Sequence, residues 1–238
     1  MPPVGNDVVD LKDPDNFGKS RDGRFLKRVF TPEERGRIAA AERPNALIWS
    51  LWAAKEAAYK CVSRKVPAVA SAPRRYPVFL EDTTKEGKSG APGDGFPMTG
   101  RVETPQGAVA LRIDGTEDYV HALAAPSAAS LIGIVVRILP VDIREPAGGA
   151  SAFVRGLLIA EIACRLDCPA SDLAVSPSGS GAPKVSLRGR PLDLDVSLSH
   201  DGRYGAVALD ATSLVQAVSP LTSRLTPRYR ISRRTEML

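Results

Sequence analysis

Two acids and a lysine, distant along the chain, form the first candidate site. Asp7 lies in a short β-branched segment, whereas Glu56 and Lys60 lie four residues apart in the apolar stretch 52–60. A carboxylate beside tryptophans is costly to bury unless it is paired or bound to a metal. Two carboxylates from separate elements suit Mg²⁺, which takes oxygen ligands and shares phosphate oxygens. The alternative is an ordinary surface Glu–Lys pair at i, i+4.

A second candidate site follows a predicted strand near residue 200. Ser199 and His200 end the alternating segment 196–200, just before Gly202. A Ser–His pair at a strand end is placed to bind phosphate, and a hairpin with a polar corner is the alternative. Adjacent strand residues point to opposite faces, and the chain has no Gly-x-Ser-x-Gly turn. Both observations argue against a serine hydrolase.

Two further features have less specific interpretations. Arg24, Lys27 and Arg28 form a basic segment that suits the phosphates of a nucleotide or an acidic protein, or is simply a solvated edge. His121 lies in a strand-like stretch and is interpreted as a residue packed near the core rather than as a ligand.

The composition excludes several classes of protein. The net charge is +5, but five arginines and one acid in residues 219–238 supply +4 of it, so the charge is a weak indication of nucleic-acid binding. No apolar run reaches about 18 residues, and no secretory signal is visible, so we expect no membrane span. Cys61, Cys164 and Cys168 are too few for a disulfide framework, which favours a cytoplasmic location.

The elements that must position these residues are readable in outline. A strand is predicted over 6–11, followed by a helix that Thr31 caps with Pro32 at its first position. The clearest helix spans 46–62, with Asn45 as its cap and Trp49 and Trp52 on one face. Residues 82–99 are predicted to be an inserted loop. Strand-like stretches follow at 100–103, 108–113, 119–124 and 131–139.

The second part of the chain repeats this order. Ser151 is predicted to cap a helix over 151–166, and strands are predicted over 183–187, 195–199 and 204–209. Helices combined with antiparallel strands favour an α+β fold. We therefore predict two related halves, 1–130 with the metal site and 131–218 with the Ser–His segment, and a basic tail, 219–238.

Together these motifs resemble the 4′-phosphopantetheinyl transferases. The resemblance rests on Gly5-x-Asp7, on residues 24–31, and on Trp52-x-x-Lys55-Glu56-Ala57-x-x-Lys60. Gly-x-Pro-Lys at 181–184 and Val-Ser-Leu-Ser-His-Asp-Gly-x-Tyr at 196–204 resemble a further motif pair of the family. The matches cover about residues 4–62 and 178–210.

The resemblance implies a reaction. The protein would be a magnesium-dependent transferase, of the holo-[acyl-carrier-protein] synthase type, that moves the 4′-phosphopantetheine group of coenzyme A to a serine of an apo carrier protein and releases 3′,5′-ADP. Asp7 and Glu56 would bind Mg²⁺, with Mn²⁺ as an alternative. Glu56, or a water it orients, would help to remove the serine proton, and Lys60 would neutralise the leaving oxygens.

The resemblance also implies binding contacts. The CoA phosphates would be bound by the residues of the second motif pair, namely Gly181, Pro183, Lys184, Ser199 and His200. Arg24, Lys27 and Arg28 would face an acidic acyl or peptidyl carrier protein or a phosphate. The implied architecture is a monomeric pseudo-dimer of two helix-plus-antiparallel-sheet halves with CoA between them, and with no nucleic-acid or membrane partner.

The chain departs from the family pattern in three places. Val9 stands where one subfamily has a glutamate, whereas Asp10 matches an acid of the small trimeric subfamily. Ala182 replaces a lysine, so Lys184 would supply that charge. The Ser–His segment follows Lys60, as it does in the small subfamily. A non-catalytic CoA- or nucleotide-binding relative is therefore the alternative function, and a nucleic-acid binder is a more distant one.

Overall fold

The computed structural model describes residues 3–66, 68–81, 96–141, 149–177 and 183–222. Most of the predicted loop 82–99, all of the basic tail beyond residue 222, and Gly181 lie outside the described residues. Within them, helices combine with antiparallel sheets, which confirms the α+β class.

The helices and strands alternate along the chain in two successions. The α-helices are α1 Gly23–Val29, α2 Pro32–Ala40, α3 Pro44–Ser63, α4 Ala128–Ile132, α5 Gly149–Leu166 and α6 Ala211–Thr222. The first strands are β1 Gly5–Asp10, β2 Val78–Leu80, β3 Met98–Thr104, β4 Gly107–Gly115 and β5 Tyr119–Ala125. The later strands are β6 Ile134–Pro140, β7 Leu173–Pro177, β8 Pro183–Leu187, β9 Arg190–Leu192, β10 Val196–Asp201 and β11 Tyr204–Asp210.

The first sheet has the order β1-β5-β4-β3-β2, and every pair in it is antiparallel. Helix α3 packs on β1 and β5, where its apolar residues join the main core of the first part. Gly5 makes this approach possible, because a Cβ there would overlap the carbonyl oxygen of Ala57 in α3. The close backbone approach at Gly5 is therefore made to a helix.

The second part contains two three-stranded sheets, β10-β11-β6 and β7-β8-β9. Helix α5 packs against β7, β10 and β11 and forms a separate core with them. In both parts the first strand pairs antiparallel with the last, β1 with β5 and β6 with β11. The two parts therefore share the order strand, helix, then antiparallel strands.

The two parts meet along the edge of β1, which has no strand partner on that side in the sheet order. Side-chain oxygens from β10 accept hydrogen bonds from the free backbone N–H groups of β1. Ser197 Oγ accepts from Asn6, Ser199 Oγ from Val8, and Asp201 Oδ2 from Asp10, over 3.0, 3.2 and 2.8 Å. An edge strand leaves such groups unpaired, so this contact both covers the edge and sets the register between the parts.

Two helix starts differ from the sequence predictions. The capping box of Thr31 and Glu34 is confirmed at the start of α2. Helix α3, however, begins at Pro44 and not after Asn45, because proline is favoured at the first helical position. Helix α5 begins at Gly149, so Ser151 lies inside its first turn and the cap predicted there is wrong.

The stretch 131–139 was predicted as a single β-rich segment. It divides at Gly133 into the end of α4 and strand β6. Among the described residues, no helix is both long enough and apolar enough to cross a bilayer.

Candidate functional site

Strand β1 and helix α3 bring Asp7, Glu56 and Lys60 together. Lys60 Nζ lies 2.7 Å from Asp7 Oδ1 and also donates to the carbonyl of Asn6 over 3.0 Å. Among the described ion pairs none joins Lys60 to Glu56, so the simple i, i+4 surface pair is not formed. The helix stripe predicted from the spacing instead faces a carboxylate on a strand.

Local geometry explains why Asp7 points at the helix. Side chains alternate along a strand, so Asp7 shares a face with Gly5, which touches the α3 backbone. Asp7 is 8% exposed and Lys60 has a partly exposed side chain, so the pair lies at the rim of the core. The backbone contact at Gly5 therefore sets the depth at which the carboxylate sits.

Glu56 is a half-buried carboxylate with perturbed electrostatics in this cluster. Its pKa is raised, first by burial and then by the nearby charge of Asp7, and the ammonium of Lys60 partly offsets this. The negative charge of Asp7 disfavours ionisation of the Glu56 carboxyl near it. A divalent cation bound between them would remove the repulsion, so the donor set fits a hard, oxygen-seeking ion.

The two carboxylates suit a metal ion whose remaining ligands are supplied by water or by the substrate. Within the described ranges, no cluster of three or more His, Cys, Asp or Glu side chains is placed to hold a metal. Two carboxylates are nonetheless what Mg²⁺ commonly takes from a protein when phosphate oxygens complete its shell. Asp7 and Glu56 are the residues that would hold it.

Ser199 and His200 are adjacent in β10, but their side chains contact different residues. Ser199 Oγ donates to Asp7 Oδ1 over 2.8 Å and is thus part of the Asp7 cluster. His200 is exposed and its Nε2 lies 3.1 Å from Ser151 Oγ near the start of α5. The structure therefore brings Ser199 to the candidate metal site and places His200 on the opposite face of the strand.

Pro183 and Lys184 lie in β8, in the sheet that packs against α5. Lys184 is exposed, and β8 is in contact with β10. Gly181 precedes this strand outside the described residues, so the structure places only part of the predicted turn.

Asp10 and Val9 are the two residues of β1 at which the sequence was compared with the acids of the family pattern. Asp10 receives two hydrogen bonds from the Arg203 guanidinium, both over 2.8 Å. Burial alone would raise the pKa of Asp10, but hydrogen bonds, chiefly from Arg203, hold it below its usual value. Val9 is buried in the first core. Neither residue adds a free acid beside Asp7.

Lys55 is a residue whose role the sequence did not reveal. It is 1% exposed, and its Nζ donates to Glu34 Oε1 and to the carbonyl of Tyr76, each over 2.8 Å. Glu34 Oε1 also accepts from the N–H of Val78. This buried pair joins α3, the capping box of α2 and the start of β2. The sequence feature that could have indicated this buried role is a lysine surrounded by alanines and a tryptophan in an otherwise apolar helix.

His121 is buried in β5, as the sequence predicted, and faces Asn6 of β1. Its Nε2 lies 3.4 Å from Asn6 Nδ2. Burial, followed by the charges of Arg112 and Lys60, lowers the pKa of His121 from 6.5 to about 3. The ring is therefore neutral at physiological pH and carries no charge into the site.

Helix α1 presents Arg24, Lys27 and Arg28 on an exposed face. Phe25, on its inner side, packs against Trp49 and Trp52 of α3, with ring centroids 5.9 and 6.0 Å apart. Trp52 lies one helical turn before Glu56. The basic face is thereby anchored to the same helix that carries the candidate catalytic residues.

Comparison with known proteins supports the resemblance seen in the motifs. Residues 3–89 match the family model described as the 4′-phosphopantetheinyl transferase superfamily. That segment contains Asp7, Glu56 and Lys60, and its similarity to the superfamily is confirmed. No curated protein matches the chain.

One solved structure with similarity is a holo-(acyl-carrier-protein) synthase from Bacillus anthracis in complex with CoA (3′,5′-ADP). It is 21% identical, and the similarity covers 52% of this chain and 93% of that chain with a TM-score of 0.35.

Proposed function

We propose that this protein is a 4′-phosphopantetheinyl transferase that uses coenzyme A and a divalent cation to modify a serine of a carrier protein. The observation that carries the proposal is the convergence of Asp7, Glu56 and Lys60 from two separate elements. All three lie within the segment that matches the superfamily. The arrangement combines two carboxylates that are able to hold a cation with the ammonium of Lys60. Positive charge of this kind stabilises the phosphate oxygens during phosphoryl transfer.

The proposed reaction is a displacement at phosphorus. The carrier serine oxygen forms a bond to the phosphorus that bears pantetheine, and the bond from that phosphorus to the bridging oxygen breaks. The electron pair leaves with 3′,5′-ADP, and the serine proton passes to Glu56 or to a water that Glu56 orients. When bound, Mg²⁺ supplies neutralisation of the diphosphate charge. Lys60 is placed to stabilise the leaving oxygens.

The CoA contacts are proposed to come from the second part of the chain. His200, Pro183 and Lys184, together with Gly181, would bind phosphate groups. Lys184 is exposed and able to reach solvent-borne anions. The resemblance predicts a CoA contact for Ser199 as well, although its hydroxyl already donates to Asp7 Oδ1.

An acidic carrier protein would dock on the exposed face of α1. Arg24, Lys27 and Arg28 present positive charge there. Complementary charge raises the rate of encounter and suppresses wrong partners. Phe25 packs on Trp52, which lies one helical turn before Glu56 in α3. This packing would keep the basic face of α1 close to Glu56.

We further propose that one chain contains two related halves and acts as a monomeric pseudo-dimer. The shared strand pairings, β1 with β5 and β6 with β11, support this. The boundary would lie near residue 130, between β5 and β6, with the basic tail at 219–238 as an appendage. The cytoplasmic location inferred from the few cysteines stays a prediction.

The test is mass spectrometry of apo carrier proteins incubated with CoA, Mg²⁺ and the full chain. A gain of the phosphopantetheine mass on a carrier, lost when the target serine is alanine or when a chelator is added, is the expected result. The panel should include fatty-acid, polyketide and peptide-synthetase carriers. No gain on any of them would contradict the proposal.

A non-catalytic relative that binds CoA or a nucleotide is the second candidate. The buried position of Val9 favours it, because no third carboxylate joins Asp7 and Glu56 from that position of β1. Calorimetry that shows CoA binding without any transfer to the carriers would select this alternative.

A further inference from the structure

We propose that Ser199 is a positioning residue for Asp7, and that through it the second part of the chain sets the geometry of the candidate metal site. The inference rests on the proposed function, since it concerns the carboxylate assigned to Mg²⁺. It assigns Ser199 a role other than direct contact with the CoA phosphates.

The hydrogen bonds of Ser199 define this role. Its Oγ accepts from the N–H of Val8 over 3.2 Å and donates to Asp7 Oδ1 over 2.8 Å. A hydroxyl has one proton to donate, so that proton is committed to Asp7. Ser199 is 6% exposed. A direct bond from this hydroxyl to a phosphate would require it to release the carboxylate.

The consequence for Asp7 is a fixed orientation. Both described hydrogen bonds to its carboxylate, from Ser199 Oγ and Lys60 Nζ, end on Oδ1. Within the described residues, Oδ2 is therefore left for a ligand. A carboxylate held by two donors loses little rotational freedom when it binds a cation, which is how residues behind a metal ligand raise its affinity.

Ser197 provides a control that lies two residues away on the same face of β10. Its Oγ accepts from the N–H of Asn6 over 3.0 Å, and the side chain is 2% exposed. Alanine at either position leaves one backbone N–H of β1 without its acceptor, with a similar cost to folding. Only the change at residue 199 also removes a hydrogen bond to Asp7.

The experiment measures Mn²⁺ binding by electron paramagnetic resonance, with and without 3′,5′-ADP, for the full chain and for Ser199→Ala and Ser197→Ala. We expect Ser199→Ala to weaken Mn²⁺ binding about tenfold or more, with its metal-free affinity for 3′,5′-ADP unchanged. Ser197→Ala should bind Mn²⁺ as the native protein does. In transfer assays, Ser199→Ala should need more Mg²⁺ but reach the native KM for CoA at saturating metal.

Three results would overturn the inference. Equal Mn²⁺ affinity in both variants would show that Ser199 does not position Asp7, while transfer by the native protein would leave the proposed function intact. Loss of metal-free 3′,5′-ADP affinity in Ser199→Ala alone would show direct contact with the nucleotide. No Mn²⁺ binding by the native protein would remove the metal site itself, and the transfer assay would then decide the fate of the proposed function separately.

A second variant keeps the test decisive if Ser199→Ala does not fold. Ser199→Cys keeps a donor at the same position on a slightly larger side chain, and the thiol donates a weaker hydrogen bond. We expect it to bind Mn²⁺ less tightly than the native protein, and native affinity in this variant would contradict the inference.

Discussion

At the scale of single residues, the chemistry of this protein depends on charges held at the edge of the core. Asp7 is tied to Lys60 and Ser199, whereas burial and the charge of Asp7 both oppose ionisation of Glu56. Burial of a charged Glu56 is therefore unfavourable for folding by itself. Groups with opposing electrostatic demands that are kept together in this way are typical of functional sites.

The first prediction concerns Glu56→Gln. The amide keeps the size of the side chain but cannot take a proton or balance a cation, so turnover should fall by at least about 10²-fold. The fold should persist, because the raised pKa of Glu56 shows that its charge is not favoured by burial. Transfer assays and urea unfolding measure the two effects.

Glu42→Gln is the control, since Glu42 is exposed after α2. It should retain native turnover. Turnover by Glu56→Gln within a few-fold of the native rate would contradict the role assigned to this carboxylate.

The second prediction concerns the pH dependence of stability. The pKa of His121 is about 3 in the folded protein against 6.5 as its ordinary value. Below about pH 6.5 the unfolded chain takes up a proton that the folded protein does not. This group therefore lowers the free energy of unfolding by about 1.4 kcal/mol per pH unit as the pH falls toward 3.

Urea unfolding of His121→Gln should consequently show a shallower loss of stability between pH 7 and pH 4.5, by about 2–3 kcal/mol over that range. His200→Gln removes the other histidine, which is exposed, and serves as the control for the loss of an imidazole. Identical slopes for the native protein and His121→Gln would show that His121 titrates alike in both states.

At the scale of elements, the decisive contact is between β1 and α3. The two elements approach so closely that a Cβ at residue 5 would overlap the carbonyl oxygen of Ala57. This approach brings Asp7 within reach of the Lys60 ammonium. The buried pair of Lys55 and Glu34 fixes the outer side of the same helix against α2.

The third prediction is that Gly5→Ala will separate strand and helix. The obstructing atoms are backbone, so they cannot rotate away, and the change should cost about 2–3 kcal/mol of unfolding free energy. Turnover should also fall, because Asp7 and Lys60 move apart.

Gly36→Ala in α2 is the matched control, since a Cβ there has nothing within 4 Å. Alanine is the better helix former, so this variant should gain up to about 1 kcal/mol. Urea unfolding of both variants is the measurement, and a Gly5→Ala protein as stable as the native one would refute the argument.

At the scale of the whole molecule, the candidate site depends on the junction of the two parts. Three oxygens of β10 satisfy the free edge of β1, and Arg203 binds Asp10 across the same junction. Tyr119 and Tyr204 pack against each other nearby, with ring centroids 4.9 Å apart. The second part therefore supports Asp7 although it contributes neither candidate metal ligand.

The fourth prediction is that Asp10 and Arg203 are energetically coupled. Asp10→Asn, Arg203→Gln and the double variant form a cycle whose coupling free energy at pH 7 should clearly exceed that of an exposed ion pair. Its physical basis is a bidentate pair with a carboxylate that is 1% exposed. Urea unfolding measures each term.

Arg101 and Glu103 form the control cycle, because both side chains of that pair are largely exposed. Their coupling should be about 0.5 kcal/mol or less. The coupling of Asp10 and Arg203 should also fade in acid, since hydrogen bonds from Arg203 hold the pKa of Asp10 low and this stabilisation is lost as the carboxylate is protonated. Equal coupling in the two cycles would argue against a junction held by this pair.

Local patterns in the sequence determined most of the elements and the identity of the candidate site residues. The β-branched pair Val8 and Val9 located β1, the Thr31–Glu34 capping box located α2, and the four-residue spacing put Glu56 and Lys60 on one side of α3. These features depend on neighbours within a few residues, so they are visible without the fold. The helix starts at Asn45 and Ser151 were wrong because several neighbouring residues are able to begin a helix.

Only the tertiary structure determined which side chains pair with each other. Lys60 binds Asp7 rather than Glu56, Ser199 turns toward Asp7 while His200 turns toward Ser151, and Lys55 is buried on Glu34. Each of these contacts joins residues far apart along the chain, and Asp7 and Ser199 are separated by 192 positions. The spacing of residues along a sequence predicts on which face of a helix or strand a side chain lies. The burial of that side chain, its hydrogen-bond partner and its pKa are determined only when strands and helices from both parts pack together.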